Sequence, residues 1–352
     1  MDNVLTYMEI ECKYKVDFVD GWNPEALRGC LAGARRIVMA AHTNADGDAV
    51  GSLTGMYALL RRVTSAEVLP MLPDGCPEDL AWLPNTDMIL SGKSELGRCK
   101  EAIAEADLII CMDLNNLERT GVLAEAMRTA TARRILFDHH IGPDREAFDL
   151  VVSDPEISST CELIYWAFRE TFGREVFGVD AATSLFTGLC TDTGTFSYSN
   201  DQQSLYLAAA ELSQMDIDPK DINLKIKNIF SEARMKFFSY AMSELLTVYP
   251  ERGAALMVID KEDMKRFGVE SADLTGLVNE VMKLKDIDCA ILVREEEGKV
   301  RLSLRSKYIT DVNLMARELF DGGGHTRAAG ATSLLSLEET VKVVKQKLGV
   351  SE

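Results

Sequence analysis

The sequence predicts an α/β protein: a parallel sheet flanked by helices, followed by a smaller α/β domain that a helical linker joins to it. Apolar runs of strand length alternate with segments of helical spacing between residues 36 and 172. Most of these runs are apolar throughout, as is typical of parallel strands that are covered on both faces. The 352 residues are also too many for one ordinary core, so two domains are expected.

The parallel sheet is expected in the first domain, residues 1–215, although residues 1–20 have no clear pattern. A predicted helix at 24–34 precedes the first strand. The strands are predicted at residues 36–42, 67–73, 107–113, 133–140 and 149–153. The later helices are predicted at residues 49–63, 95–106, 118–129, 159–172, 178–194 and 201–215. Ligands bind outside the carboxyl ends of the strands in such sheets, so polar residues at those ends are candidates for function.

Residues 216–248 are predicted to form a largely helical linker, because apolar residues recur there at mostly helical intervals. The second domain, residues 249–352, follows the linker. Its strands are predicted at residues 254–259, 289–294 and 299–307, and its helices at residues 273–285, 311–320 and 337–348. The glycine-rich segment Gly322–His325 is predicted to be a loop.

The chain is strongly acidic, with a formal net charge of −18. Residues 1–250 carry 22 basic and 38 acidic residues, and the remainder is close to neutral. Such a surface repels a long polyanion, since binding of duplex nucleic acid depends on many lysine and arginine contacts with phosphate. A phosphate-bearing substrate is therefore expected to be short, and metal ions or a few local arginines must receive it. One face of the strand at 299–307 is basic, made of Lys299, Arg301, Ser303, Arg305 and Lys307.

No segment approaches the ~18–20 apolar residues that span a bilayer, and the N-terminus lacks a basic region followed by an apolar one. A cytoplasmic protein without a membrane partner is therefore expected. The eight cysteines never lie within four residues of one another, so neither a disulfide framework nor a CxxC metal site is predicted. They are expected to be reduced, buried residues.

All four histidines lie in or beside polar clusters that end apolar runs, or, for His325, in the glycine-rich segment. The run from Arg133 ends in Asp138-His139-His140, and a satisfied polar turn would explain one of these histidines better than two. Other runs lead into His42, Asp46 and Asp48, into Asp113, and into Asp192. The four clusters are therefore treated together as candidates for one site.

Each cluster also has an ordinary structural interpretation. The Asp46-Gly-Asp48 segment is a common turn sequence, whereas a calcium loop is excluded because its glycine is misplaced and no closing glutamate follows. Asp113 is suited to cap a helix, and Asp192 taken alone favours a cap or a turn. Against this, one histidine with two carboxylates is a mixed nitrogen and oxygen ligand set that suits Mn²⁺.

Taken together, the acids and histidines are enough to hold two neighbouring cations bridged by one carboxylate. Two metals ~3.5–4 Å apart stabilise both the attacking and the leaving oxygen of an in-line displacement at phosphorus. The pattern therefore favours a phosphoester hydrolase.

Five ordered motifs resemble those of the DHH phosphoesterase family and extend over residues 36–332. They are His42-x-x-x-Asp46-x-Asp48-x-x-Gly51-Ser52, Asp113 with its asparagines, Asp138-His139-His140, Thr191-Asp192-Thr193-Gly194, and Gly322-Gly-Gly-His325 with Ala328-Ala-Gly330. The resemblance implies the two-domain branch of nanoRNases and 3′,5′-bisphosphate nucleotide (pAp) phosphatases, because the GGGH motif is absent from the family's pyrophosphatases. RecJ-type exonucleases are usually larger than this chain.

The resemblance also implies roles for individual residues. One metal would be held by His42, Asp46 and Asp113, and a second by Asp48, Asp113, His139 and Asp192, with Asp113 as the bridge. His140 would face the scissile phosphate instead of binding a metal, and would polarise it or protonate the leaving oxygen. Arg305, Ser306, Gly324 and His325 resemble the substrate-binding elements of the C-terminal domain. The expected cofactors are two divalent ions, with Mn²⁺ favoured.

The resulting hypothesis is a phosphoesterase that hydrolyses short oligoribonucleotides, pAp, or both by a two-metal mechanism. One alternative is a phosphodiesterase that acts on cyclic or linear dinucleotide messengers. A second alternative is a catalytically silent nucleotide-binding regulator, whose signature would be a missing ligand, and no ligand is missing. The expected partner is a short nucleotide substrate rather than a long duplex, and a homodimer is left open.

Overall fold

The computed structural model describes residues 23–197, 203–227 and 230–350, so the segment 1–20 lies outside the described residues. The chain divides into two compact units, Met1–Asn228 and Ile229–Glu352, here called unit 1 and unit 2. The division falls within the segment 216–248 predicted as a linker. Ile222 in this segment is buried in the core of unit 1, and Phe237 is buried in the core of unit 2.

Unit 1 is built on a six-stranded parallel sheet, which confirms the predicted fold class. The spatial order of its strands is β3-β2-β1-β4-β5-β6. The strands are β1 Arg36–Ala40, β2 Glu67–Leu72, β3 Leu90–Ser91, β4 Leu108–Met112, β5 Arg133–Asp138 and β6 Leu150–Ser153. Since β1 and β4 are neighbours although β2 and β3 separate them in sequence, the order reverses at β1 and leaves a crevice at the carboxyl ends.

Helices cover both faces of this sheet. They are α1 Pro24–Ala32, α2 Gly47–Val63, α3 Leu96–Ala104, α4 Ala124–Thr129, α5 Thr160–Phe172, α6 Val179–Asp192, α7 Gln203–Leu212 and α8 Pro219–Lys227. One buried cluster joins α2, α5 and α6 to one face, and a smaller cluster joins α3 and α4 to the other. The apolar runs of β1 and β4 are buried along their length for this reason.

Unit 2 contains a mixed six-stranded sheet in the order β11-β12-β10-β9-β8-β7. Its strands are β7 Leu246–Tyr249, β8 Ala254–Ile259, β9 Cys289–Glu296, β10 Lys299–Ser306, β11 Asp321–His325 and β12 Ala328–Ser333. Its helices are α9 Glu232–Tyr240, α10 Lys261–Phe267, α11 Leu277–Val281, α12 Val312–Leu319 and α13 Leu337–Leu348. Strand β10 alternates as predicted, with Val300, Leu302 and Leu304 buried on the face opposite its basic residues.

Several predicted elements are wrong. The segment Gly322–His325 is not a loop but most of strand β11, which pairs with β12 from Asp321 to His325. The helical pattern predicted up to Val248 ends earlier, because Leu246–Tyr249 form strand β7. Strands β3 and β12 and helix α10 were not predicted, since each is short or rich in small or polar residues. Within the described residues, no helix has the length and apolarity that crossing a bilayer requires.

Candidate metal centre

The predicted residues of unit 1 lie where the central strands end. His42 follows β1 by two residues, Asp113 directly follows β4, and Asp138 is the last residue of β5, with His139 and His140 after it. Because β1, β4 and β5 are adjacent in the sheet, their carboxyl ends bring these side chains together.

Asp46 and Asp48 are positioned by the start of α2. Asp46 is the N-cap, and its Oδ1 accepts hydrogen bonds from the backbone N–H of Asp48 and of Ala49 at 3.1 Å each. The turn interpretation of Asp46-Gly-Asp48 is therefore wrong, because Gly47 and Asp48 are the first residues of α2. Asp46 itself is not confined to capping, because one of its oxygens lies within 4.8 Å of ligand atoms of His42 and Asp113.

Asp48 is fully buried against the N-terminus of α5. Its Oδ2 accepts from the backbone N–H of Thr160 at 2.7 Å, and its Oδ1 accepts from that of Cys161 at 2.9 Å. The positive end of the helix dipole thus faces this carboxylate. Gly188 of α6 makes the close packing possible, because a Cβ there would lie 2.2 Å from Cys161 Sγ and 2.8 Å from Asp48 Oδ1.

Asp113 is held in a strained backbone conformation, with φ at +57°. For a residue other than glycine this costs on the order of 1 kcal/mol. The cap interpretation of Asp113 is wrong, because Asn116 is the residue that caps the following 3₁₀ segment, Leu117–Leu123. The hydroxyl of Thr160 donates to Asp113 Oδ1 at 3.2 Å and so orients the carboxylate.

The two histidines nearest these acids present one ring nitrogen each. His42 Nδ1 lies 2.7 Å from the carbonyl oxygen of Thr43 and must donate to it, which leaves Nε2 without a proton when the ring is neutral. That Nε2 is 3.3 Å from Asp113 Oδ2. His139 Nε2 is 3.3 Å from Asp192 Oδ2, 3.6 Å from Asp113 Oδ1 and 3.9 Å from Asp48 Oδ2. Its ring also hydrogen-bonds to the backbone of Ile157. Anchoring of a histidine to a carbonyl is typical of metal ligands.

Three overlapping groups have donor atoms within 4.8 Å of one another. They are His42, Asp46 and Asp113; Asp48, His139 and Asp192; and Asp113, His139 and His140. Asp113 and His139 each belong to two groups. The structure therefore gathers every residue predicted as a metal ligand at one edge of the sheet, and these groups can hold divalent metal ions.

The electrostatics of the site favour a cation. Within the described residues, no lysine or arginine pairs with Asp46, Asp48, Asp113, Asp138 or Asp192. Burial, and then the charge of Asp113, raises the pKa of Asp48 to about 7. Burial, and then the charges of Asp48, Asp46 and Asp113, raises the pKa of Asp192 well above its usual value.

The pKa of Asp113 shifts downward, whereas the pKa values of His42 and His139 shift upward. Burial opposes ionisation of Asp113, but the hydrogen bond from His42 and the neighbouring histidines outweigh it and lower its pKa. Burial likewise opposes protonation of His42 and His139. The nearby carboxylates outweigh it, although the charge of Arg119 adds to the opposition at His42, and the pKa values of both histidines rise. Protons compensate part of the negative charge in the structure, and divalent metal ions would compensate more of it.

His140 is bound differently from the other two histidines. Its Nδ1 is 2.7 Å from Asp138 Oδ1, and its Nε2 is 3.0 Å from Nη1 of Arg119. Asp113 Oδ1 is farther away, at 3.7 Å from Nδ1. Asp138 is fully buried, and its Oδ2 has no hydrogen-bond partner among the described residues.

Sequence reasoning did not assign roles to Asp138, Thr160 or Arg119. The role of Asp138 could have been inferred, because Asp138 lies within the motif itself and precedes His140 by only two residues. The role of Thr160 was harder to infer, since the only indication is its position at the start of a predicted helix. No feature of the sequence points to Arg119, because its contact with His140 depends on how two separate loops meet.

In unit 2, the predicted residues Arg305 and His325 lie on one rung of the sheet. Arg305 pairs with Ala328 of β12, and Ala328 pairs with His325 of β11. Their side chains therefore project from the same face, with only the methyl group of Ala328 between them. Arg305 Nε donates to Asn279 Oδ1 at 3.1 Å.

Ser306 and Gly324 have structural roles of their own in unit 2. The hydroxyl of Ser306 donates to the carbonyl oxygen of Thr310 at 2.6 Å. Gly324 has φ at +144°, and a Cβ there would lie 2.5 Å from the carbonyl oxygen of Ala328. Only glycine fits this position of β11.

Two family models match the chain. Residues 36–189 match the DHH family, N-terminal domain, and residues 253–349 match the DHHA1 domain. The two matches fall in unit 1 and unit 2 respectively.

Several relatives are similar to this chain over most of their length. The chain is 27% identical to the bifunctional oligoribonuclease and PAP phosphatase NrnA of Bacillus subtilis (strain 168), over 88% of this chain and 92% of that protein. It is 26% identical to the protein of the same name from Thermus thermophilus, over 84% and 83%.

Solved structures extend the comparison to three dimensions. An exopolyphosphatase-related protein from Bacteroides fragilis superposes with a TM-score of 0.89 at 32% identity, over 93% of this chain and 95% of that one. RecJ of Thermus thermophilus, crystallised in complex with Mn²⁺, shares the fold with a TM-score of 0.51 at 14% identity, over 93% and 54%.

Proposed function

The chain belongs to the DHH family, and on that premise we propose that it is a metal-dependent phosphoesterase that hydrolyses short oligoribonucleotides and pAp. The family resemblance of the five motifs is confirmed by the two matching domains. Relatives named as bifunctional oligoribonuclease and PAP phosphatase cover most of this chain, which supports a hydrolase that acts on phosphoester bonds.

We propose two ions at the carboxyl edge of the sheet in unit 1. His42, Asp46 and Asp113 would hold one, and Asp48, Asp113, His139 and Asp192 the other. The observation that carries this proposal is the position of Asp113, whose two oxygens face different groups: Oδ2 faces His42, and Oδ1 faces His139. Charge supports the number of ions, since the four carboxylates carry four negative charges and two divalent cations match them. The mixed nitrogen and oxygen donors favour Mn²⁺.

When bound, two such ions supply Lewis acidity and lower the pKa of an attacking water. The residues of the chain prepare the site for this chemistry. Thr160 and the N-terminus of α5 orient Asp113 and Asp48, and the carbonyl of Thr43 orients His42. Asp138 fixes the ring of His140 beside Asp113, where His140 would act at the phosphate or the leaving oxygen.

The expected substrate is short. The net charge of −18 disfavours a long polyanion, and unit 2 presents Arg305 and His325 on one rung across the small residue Ala328. We propose that Arg305, Ser306, Gly324 and His325 contribute to substrate binding, with Arg305 receiving a phosphate.

The direct experiment measures release of mononucleotides from two- to five-residue RNAs and of inorganic phosphate from pAp, with added Mn²⁺. We expect turnover by the wild type and none by Asp113→Ala, while Asp87→Ala, which removes an exposed carboxylate outside the three groups, retains it. The dinucleotide messengers pGpG and cyclic di-AMP belong in the same panel, because a higher kcat/KM for them would favour the alternative function. Turnover that persists in Asp113→Ala would contradict the mechanism.

A further inference from the structure

Arg119 is a cation without an ionic partner among the described residues, and it lies beside the buried carboxylates of the candidate metal centre. It is half-buried in the 3₁₀ segment Leu117–Leu123. By contrast, Arg128, nine residues further along, pairs with both Glu118 and Glu125.

The backbone of Arg119 is fixed to the loops that carry the metal-binding residues. Its carbonyl oxygen accepts from the backbone N–H of Thr43 at 2.8 Å, next to His42. Its own N–H donates to Asn116 Oδ1 at 3.3 Å, three residues after Asp113. The backbone of Arg119 is therefore held at the edge of the candidate metal centre by the loops that follow β1 and β4.

The side chain of Arg119 is oriented by a short chain of hydrogen bonds. Arginine can only donate, so the contact of 3.0 Å between its Nη1 and Nε2 of His140 requires that nitrogen to accept. The proton of the neutral ring is then on Nδ1, which donates to Asp138 Oδ1 at 2.7 Å. Asp138 fixes His140, and His140 in turn holds Arg119.

One donor of the guanidinium is used in this way, and the other four have no partner within the described residues. They form a planar array whose geometry matches two oxygens of a phosphate. A carboxylate of the protein could take the same place, but those nearby face His42, His139 and His140 instead. The planar array is therefore available to an anion from outside the chain.

We propose that Arg119 binds the non-bridging oxygens of the phosphate at which hydrolysis occurs, and that His140 acts at least in part as the positioning residue for Arg119. This inference rests on the proposed function and adds to it a phosphate-binding residue. It also changes the expected effect of replacing His140, because part of that effect would be transmitted through Arg119.

The first test compares Arg119→Ala and Arg119→Lys with the control Arg128→Ala, which removes the same charge from the neighbouring helix. We expect kcat/KM to fall at least about 100-fold in Arg119→Ala, to be partly retained in Arg119→Lys, and to stay within about twofold of wild type in Arg128→Ala. Guanidinium added to Arg119→Ala should restore part of the activity. Thermal melts show whether each variant is folded.

A second readout does not depend on turnover. Inhibition by, or calorimetric binding of, inorganic phosphate should weaken at least about tenfold in Arg119→Ala, while the Kd for Mn²⁺ stays within about twofold. The double variant Arg119→Ala/His140→Ala should lose little more activity than the more impaired single variant, since the two residues act as a unit. His140→Gln, whose amide oxygen can accept from Arg119, should retain more activity than His140→Ala.

The outcomes separate the two proposals. If the wild type hydrolyses none of the substrates, the proposed function fails. If the wild type is active and Arg119→Ala matches it in kcat/KM and in phosphate binding, only the role of Arg119 is overturned. Fully additive effects of the two alanine substitutions would overturn the positioning role of His140.

Discussion

The metal centre of unit 1 and the basic rung of unit 2 differ in how well their polar groups are satisfied. In unit 1, Asp48, Asp113 and Asp138 are buried together, Asp113 has a strained backbone, and one oxygen of Asp138 lacks a partner among the described residues. In unit 2, Arg305 and Ser306 donate to Asn279 and to the carbonyl of Thr310. Both regions were predicted to be functional, but among these residues only the carboxylates of unit 1 are buried close enough to repel one another.

This difference shows what each region contributes. Carboxylates that repel one another in a buried site are stable only when protons or cations compensate them, so these residues of unit 1 form a site that can hold cations. The polar groups of unit 2 form hydrogen bonds within that unit and so contribute to its fold, in addition to the substrate binding that we propose for them. Substitutions should therefore impair chemistry in unit 1, and binding or stability in unit 2.

The largest expected effect is that of Asp113→Asn. Loss of the shared carboxylate should lower kcat roughly 10³-fold or more, because several kcal/mol of Lewis-acid stabilisation are lost and ~1.4 kcal/mol corresponds to a factor of ten. The matched substitution in unit 2, Arg305→Ala, should raise KM about tenfold and leave kcat nearly unchanged. Steady-state kinetics on pAp measure both. Equal losses of kcat in the two variants would remove the distinction between the regions.

The second-largest expected effect is a loss of stability when Gly324 of unit 2 is replaced. Gly324→Ala should lower the free energy of unfolding by roughly 2–3 kcal/mol, because φ is +144° and the new Cβ would meet the carbonyl oxygen of Ala328. Gly330→Ala is the control, since its nearest contact would be an ordinary 3.6 Å from the carbonyl oxygen of Leu302. Denaturant titration measures the difference. A Gly324→Ala protein as stable as Gly330→Ala would show that β11 is less tightly constrained.

Asp192→Asn is expected to have a smaller effect on the free energy of unfolding, and the sign of this effect depends on whether metal is bound. Asp192 has a raised pKa in the folded protein, so without metal its contribution to stability falls as pH rises above the unfolded pKa of about 4. Metal-free Asp192→Asn should therefore be more stable than wild type at pH 8, by on the order of 1 kcal/mol, and the advantage should vanish near pH 4. With Mn²⁺, the wild type should be the more stable. Unfolding curves with EDTA and with Mn²⁺ test this, and an advantage that grows toward acid pH would contradict it.

The smallest expected effect on stability is that of Asp288→Asn in unit 2, and its dependence on pH is opposite to that of Asp192→Asn. Burial opposes ionisation of Asp288, but hydrogen bonds from the hydroxyl of Thr310 and from the N–H groups of residues 308–310 outweigh it and lower its pKa to about 2. Its contribution is complete above the unfolded pKa of about 4 and is lost as pH falls through about 2. The stability difference between wild type and Asp288→Asn should therefore shrink on acidification. A difference that is constant from pH 7 to pH 2 would rule this out.

The sequence was sufficient to predict the parallel sheet and the positions of the site residues on it. Continuous apolar runs such as Leu108–Met112 are typical of buried strands, and parallel strands align their carboxyl ends at one edge. Family motifs then separated Asp113 from an ordinary cap. The GGGH segment was misread because glycine signals a turn locally, whereas here pairing with β12 across the sheet determines its conformation.

Contacts that join distant loops could not be predicted in this way. The bond of Arg119 to His140 and the bonds of Asp48 to the start of α5 depend on packing between elements 21 and more than 110 residues apart. Neither spacing nor composition encodes those distances. The same holds for Gly188. A side chain is excluded at this position only because α6 packs against Cys161 and Asp48 there.

The central claim is that the side chains gathered in unit 1 hold two divalent cations with Asp113 between them. Anomalous diffraction from a crystal soaked in Mn²⁺ tests it most directly. Two manganese peaks ~3.5–4 Å apart, one against His42 and Asp46 and the other against Asp48, His139 and Asp192, are the expected result. A single peak, or two peaks that do not share Asp113, would contradict the account.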